Sequence, residues 1–182
     1  MEETLVLIDN AYLKLVSKEF NENKIVKYNL LSFSKKIAEL FDLYPKKTYF
    51  FDAPPFVSQN SLEDKLRKSK FDKFIDFLRN SGIIIKLGRL QKIGNQFIQK
   101  GVDTQITMAL LIEPFIEDTK NIIIITSDSD FVPAIDYIKS KQRKVFLFCY
   151  NDYKRNSKFS TANELRQVCD SVVQLKKEYL IY

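Results

Sequence analysis

The stretch NIIIITSDSDFVPAI (residues 121–135) carries the main clue to the fold. Four consecutive isoleucines show no polar alternation, which suits a strand buried on both faces. They run straight into Asp128 and Asp130, and then into a segment that reads as a helix opening around Pro133. A hydrophobic strand that ends on two acids beside a helix start permits two readings. Either acid caps the helix, as aspartate often does, or the pair faces a cation.

The pattern occurs twice earlier in the chain. TLVLIDN (residues 4–10) is a short apolar run closed by Asp9, and KKTYFFDAPP (residues 46–55) is another closed by Asp52. Between them, LSFSKKIAELFDLYP reads as a helix with Ser32 or Ser34 as N-cap and a stop at Pro45. SLEDKLRKSKFDKFIDFLRNSG reads as a helix whose apolar face holds Leu62, Leu66, Phe74, Phe77 and Leu78. IIIKLGRLQKIGNQFIQKG is strand-like, with Gly94-Asn95 placed for a hairpin turn. VDTQITMALLIEPF reads as a helix with Asp103 in its first turn. DFVPAIDYIKSK reads as a helix and KVFLFCY as a strand. FSTANELRQVCDSVVQL reads as a short helix, capped by Ser160 or Thr161, and a final edge strand.

Strands alternating with helices predict an α/β fold: a mainly parallel sheet in three layers, wound by right-handed crossovers. The expected strand order is 3-2-1-4-5, with the hairpin and an edge strand added. No repeat, low-complexity tract or linker interrupts the chain, so one domain over residues 1–182 is expected. Residues 151–160, NDYKRNSKFS, form the best candidate for a basic surface loop.

The 182 residues are 45% hydrophobic and 29% charged, as in globular proteins. No apolar run approaches the roughly 20 residues of a membrane span. The acidic N-terminus enters a strand at once, unlike a signal peptide, so a cytoplasmic location is the default expectation. The chain contains no histidine and two cysteines without metal spacing, Cys149 and Cys169. That removes Cys/His zinc sites and His-dependent nucleophilic mechanisms. Both cysteines are expected to be buried small hydrophobes. The net charge of +6 and pI near 9.1 admit a polyanionic partner.

Parallel sheets bind ligands beyond the carboxyl ends of their strands, where strand order reverses. In the expected order that point lies between the strand ending at Asp9 and the strand before Asp128 and Asp130. Several ionised carboxylates at one place repel each other unless a cation offsets them. Oxygen-only ligands favour magnesium or manganese, and such ions serve phosphoryl and phosphodiester chemistry. Each acid also has a structural role open to it: Asp9 as a turn residue, Asp103 as a first-turn acid complementing the helix dipole, Asp52 ordering the Ala53-Pro54-Pro55 turn.

Taken together, LVLIDNAYL, YFFDAPP, GRLQKIGNQFIQKGVDTQI, IIIITSDSDFVPAIDYIKSK, KVFLFCY and ANELRQVCDSVVQL cover nearly the whole chain. In that order they resemble the NYN domain family, a branch of the PIN-like metal-dependent nucleases, and within it the LabA-like group. The resemblance implies a Rossmann-like sheet with an acidic pocket for Mg²⁺ or Mn²⁺, and ribonuclease activity. Carried over by motif, Asp9, Asp103, Asp128 and Asp130 are the catalytic and metal-binding acids, and Asp52 stands behind them. The sequence departs from the family pattern at Ser127, where glycine is common, and at Ala109, where relatives often carry a further acid. Glu113 lies too far along the helix to replace it.

RNA is the expected partner. Single-stranded DNA as an alternative substrate and a homodimer are left open, and no membrane is expected. Candidate substrate contacts are Asn10 and Tyr12 after the first acid, Lys100 beside Asp103, Arg89 and Lys92 in the hairpin, and Lys154, Arg155 and Lys158 in the late loop. For any single lysine an ordinary solvated surface is the rival reading. Two other functions compete with hydrolysis of RNA. One is a regulator that keeps the fold but cleaves weakly or not at all. The other is a phosphatase, against which the sequence Asp9-Asn10-Ala11 lacks the second acid of an aspartyl-phosphate motif.

Overall fold

The computed structural model describes residues 1–22, 29–58, 61–93, 96–151, 159 and 161–180, without the side chains of residues 92, 93 and 96–99. Its strands are β1 (Glu2–Asp9), β2 (Leu43–Asp52), β3 (Ile84–Leu87), β4 (Arg89–Ile93), β5 (Gln96–Lys100), β6 (Asn121–Ile125), β7 (Lys144–Cys149) and β8 (Ser171–Gln174). Six of them form one sheet in the order β3-β2-β1-β6-β7-β8, with every pairing parallel. The expected central order and the added edge strand are both present. The remaining pair, β4 and β5, is the antiparallel hairpin, set apart from the sheet. Its turn, Gly94-Asn95, lies outside the described residues.

The two central strands explain the apolar runs. Leu5, Val6, Leu7 and Ile8 on β1 and the four isoleucines of β6 are each at most 1% exposed. Helices cover both faces, so no polar side chain is needed on either side. α4 (Val102–Ile116), α5 (Val132–Ser140) and α6 (Asn163–Val168) pack side by side on one face. α1 (Asn10–Phe20), α2 (Leu30–Glu39) and α7 (Lys177–Leu180) pack together on the other, and α3 (Leu62–Asn80) lies against β3.

Several local expectations change. The helix α1 leaves β1 with no loop between them, because Asp9 is at once the last residue of the strand and the N-cap of the helix. α2 is capped by Asn29, whose side chain accepts from the N–H groups of Leu31 and Ser32, and not by Ser32 or Ser34. Ser34 lies within the helix and donates to the Leu30 carbonyl, 2.8 Å away. Pro45 does not stop this helix. It sits in β2, where the pairing with β1 slips by a residue between Thr4 and Leu5, a bulge that tolerates the missing donor. α6 has Ala162 as its N-cap and no side-chain cap, so Thr161 does not serve there, and Ser160 lies outside the described residues.

The apolar face read for α3 is only partly buried. Ile75 and Leu78 enter the core and Phe74 meets Phe50 edge-on, but Leu62, Leu66 and Phe77 are exposed. The reason is length. A helix of 19 residues spans about 28 Å over an edge strand of four residues, about 13 Å, so much of it has no sheet beneath it.

Gly88 separates β3 from the hairpin and donates its N–H to the Asp52 carbonyl at 2.8 Å. A methyl group there would meet the Lys100 carbonyl oxygen and Val102 Cγ2, each at 2.6 Å. Gly88→Ala is therefore expected to destabilise the protein by about 1–3 kcal/mol through overpacking. Urea denaturation checks this, and an unchanged midpoint would show that the hairpin base can shift freely.

Candidate functional site

The order of strands reverses between β1 and β6: β2 and β3 lie on one side, β7 and β8 on the other. Ile8 pairs with Ile125, which sets Asp9 level with Thr126 at the carboxyl end of the sheet. Thr126 is fully buried and links the two strand ends. Its hydroxyl donates to Asp9 Oδ2 at 3.4 Å and accepts from the Asp128 N–H at 3.2 Å. Reading the sequence for acids passed over Thr126. The available signal was a lone polar residue between the most buried strand and its acids.

Asp9 is half-buried and accepts from the Tyr12 N–H at 3.2 Å. Burial pushes its carboxyl up to about 6, the Tyr12 hydrogen bond opposes the rise, and the charge of Asp103 adds to it. Asp103 stands in the first turn of α4, after Gly101, whose φ of +83° turns the chain out of β5. Its carboxyl is also held above the usual range, by burial first and then by Asp128 and Asp130. Asp128 is the N-cap of a single 3-10 turn (Ser129–Phe131), accepting from the Asp130 N–H at 2.9 Å. Of the two acids that competed as caps, Asp128 holds the role and Asp130 is exposed at the rim. The four acids thus share one electrostatic neighbourhood at the reversal point.

Asp52 stands apart from this group. Only 2% exposed, it pairs with Lys14 Nζ at 2.8 Å and accepts from Asn10 Nδ2 at 2.6 Å and from the Ala53 N–H at 2.8 Å. It orders the turn after β2 and also ties β2 to α1. Asn10, expected at the substrate, is 1% exposed and engaged with Asp52. Its Oδ1 is buried and has no donor among the described residues. Tyr12, expected to line the pocket, is a buried pin instead. Its hydroxyl accepts from the Tyr150 N–H at 2.6 Å and sits 3.4 Å from the Tyr150 carbonyl. That bond fixes the end of β7. Lys154, Arg155 and Lys158 lie outside the described residues.

Arg89 and Lys100 face each other as Cα partners at the base of the hairpin, and Lys100 stands three residues before Asp103. Both are exposed, and among the described residues neither has an ion-pair partner. Two like charges set opposite each other disfavour the pairing unless an anion joins them. Lys92 is in β4, with its side chain outside the description.

Ala109 is buried and does not face the acids. Six residues beyond Asp103, it lies about 120° round the helix. It lines a cleft of about 300 Å³ with Lys86, Gln105 and Glu113. Glu113 accepts from the Tyr49 hydroxyl at 2.9 Å and pairs with Lys86 at 3.5 Å, so it takes no part in the acid group either.

A family model for the NYN domain matches residues 3–176. The chain belongs to the NYN domain family. This is a PIN-like family of nucleases, so the acids above occupy the sheet end of a nuclease fold. A solved structure of a protein of unknown function from Vibrio parahaemolyticus is similar, with a TM-score of 0.67 and 17% identity over 99% of this chain and 96% of that one. At that identity the likeness bears on the fold. No curated protein matches the chain. Among the described residues, no helix of this NYN domain is long and apolar enough to cross a membrane. Both cysteines are free and buried, as expected.

NYN domains usually work with divalent metals, and the donors here suit one in kind. All are oxygens, and the Asp9 and Asp103 carboxyls are raised chiefly by burial and further by their neighbouring acids, a cost of ionisation that a cation would offset. Among the described residues no three acids come close enough together to ligate one ion. The arrangement therefore fits an ion held by one or two carboxylates with water completing its shell, as magnesium commonly is.

Proposed function

We propose that this chain is a Mg²⁺- or Mn²⁺-dependent ribonuclease that hydrolyses phosphodiester bonds in single-stranded or structured RNA. The observation that supports this most is the shared position of Asp9, Asp103, Asp128 and Asp130 at the strand-order reversal of an NYN fold. In this reading one or two of Asp9, Asp103 and Asp128 would hold the ion directly and the others through water. When bound, the ion supplies a lowered pKa for water and offsets charge on the scissile phosphate. Asp130, exposed at the rim, orients the attacking water. Thr126 keeps Asp9 and the backbone of Asp128 in register, and Asn10 Oδ1 is an acceptor left for a water. Arg89 and Lys100 grip the flanking phosphates, with Lys154 and Arg155 as further contacts from the late loop.

The direct test uses 5′-labelled single-stranded RNA. Wild type should cut it with Mn²⁺ and lose the activity in EDTA. Asp103→Asn, purified identically, should cut at least tenfold more slowly, since it removes a charge placed at the ion. Equal cleavage by both proteins would assign the activity to a contaminant.

A second reading is an RNA- or protein-binding regulator with weak or no cleavage. One observation favours it: the lack of three converging acids among the described residues. Calorimetric titration with Mn²⁺ separates the two, because the regulator reading expects no binding at millimolar ion.

A further inference from the structure

An apolar groove of about 450 Å³ runs between α4 and α5, lined by Thr107 and Leu111 of α4 and by Pro133, Ala134 and Tyr137 of α5. Its walls are continuations of the site. Thr107 lies one turn along α4 from Asp103 and on the same face, and Pro133 follows Asp130 by three residues. The two helices pack side by side; Asp103 stands in the first turn of α4, and Asp130 lies in the 3-10 turn that leads into α5. Tyr137 stands on α5, about 8 Å along the helix axis from its first residue, Val132. It is 49% exposed, although it is a large aromatic side chain. Lys141 lies over its ring, 5.3 Å from the centroid. An aromatic ring with a cation beside it is what proteins use to hold unpaired bases and the strand that carries them.

We infer that this groove is a base-binding subsite, in which Tyr137 stacks one unpaired base of the strand whose phosphate lies at the acids. Lys141 meets the backbone beyond that base. The inference rests on the nuclease reading for the position of the phosphate. The size of the groove favours a base over a folded partner: five residues line it, whereas stable protein interfaces bury well over 1,000 Å². The subsite would make unpaired RNA the preferred substrate, because a base held in a duplex cannot enter.

The test is binding of 5′-labelled single-stranded RNA oligonucleotides in EDTA, followed by fluorescence anisotropy, with a single abasic position moved along the strand. One abasic position should weaken wild-type binding about tenfold, the scale of one base–aromatic stack. Tyr137→Ala should weaken binding of the intact oligonucleotide by the same factor and lose the sensitivity to that position. Tyr137→Phe should stay within twofold of wild type. Because Tyr137 is half in solvent, the alanine variant is expected to fold. A flat abasic scan, or a scan unchanged in Tyr137→Ala, overturns the subsite. So does a dimer in sedimentation that Tyr137→Ala converts to monomer, since the groove would then be a self-association surface. Cleavage with Mn²⁺ and a flat scan leaves the nuclease reading standing without the subsite. The expected scan in a protein that no divalent ion activates does the reverse.

Discussion

Asp9→Asn should abolish cleavage and stabilise the metal-free protein. The two effects have one cause. The folded protein holds the Asp9 carboxyl at about 6, against 3.8 for an unperturbed carboxyl, chiefly by burial. Between those values the folded state binds a proton that the unfolded chain has released. The contribution of Asp9 to stability is therefore fully present below about pH 4, is lost as pH rises through 6, and stays absent above that. The full cost of ionising Asp9 in the folded state amounts to up to about 3 kcal/mol. Asparagine caps a helix as well as aspartate does, so the bond to the Tyr12 N–H survives the change. Without metal at pH 7.5, Asp9→Asn should melt several degrees higher than wild type, with a flatter dependence between pH 4 and 6. In the RNA cleavage assay it should lose about a hundredfold or more, because in the proposed function the charge that disfavours folding is also the one that holds the ion. Divalent ions should raise the melting temperature of wild type more than that of the variant. A variant less stable than wild type in EDTA would show that Asp9 is satisfied without a cation.

The second large effect is expected at Asp52. It is buried and joined to Lys14, Asn10 and the Ala53 N–H. Asp52→Ala removes all three contacts and leaves the Asn10 amide, itself buried, without an acceptor. Breaking a buried pair from one side costs about 3–5 kcal/mol. Lys14 is 38% exposed in its side chain and can turn to water, which places the loss near the lower end, at about 3 kcal/mol. The urea midpoint should fall by about 1 M or more. Asp52→Asn keeps the shape and one acceptor and should lose roughly half as much. If Asp52→Ala leaves the midpoint in place while cleavage falls, Asp52 acts at the substrate and not as a strut.

The difference between Asp9 and Asp52 shows how far the sequence could be read. Both end an apolar strand, and both precede a turn. Local pattern gives them the same weight. They differ because β1 is central and lies at the reversal of strand order, whereas β2 has β3 beyond it and Lys14 of α1 close by. Such a distinction depends on residues far apart in the chain. The same holds for Asn10 and Tyr12. Their position next to the first acid suggested the substrate, but α1 starts so tightly on Asp9 that both side chains turn inward. The helix itself was legible in principle, in the spacing of Leu13, Val16 and Phe20 after an N-capping aspartate.

By itself the sequence determined the family, the alternation of strands and helices, the central strand order and the segments that bring acids to one end of the sheet. These follow from short-range facts: apolar runs too uniform for a one-sided strand, helical periodicity, and motifs whose order along the chain is specific. Only the tertiary structure decided which polar groups face one another. It bound Asp52 to Lys14 and placed Thr126 between Asp9 and Asp128. It also set Thr107 and Leu111 opposite Pro133 and Tyr137. Each of these is a contact between segments remote in sequence, fixed by sheet register and helix packing, which no local pattern encodes.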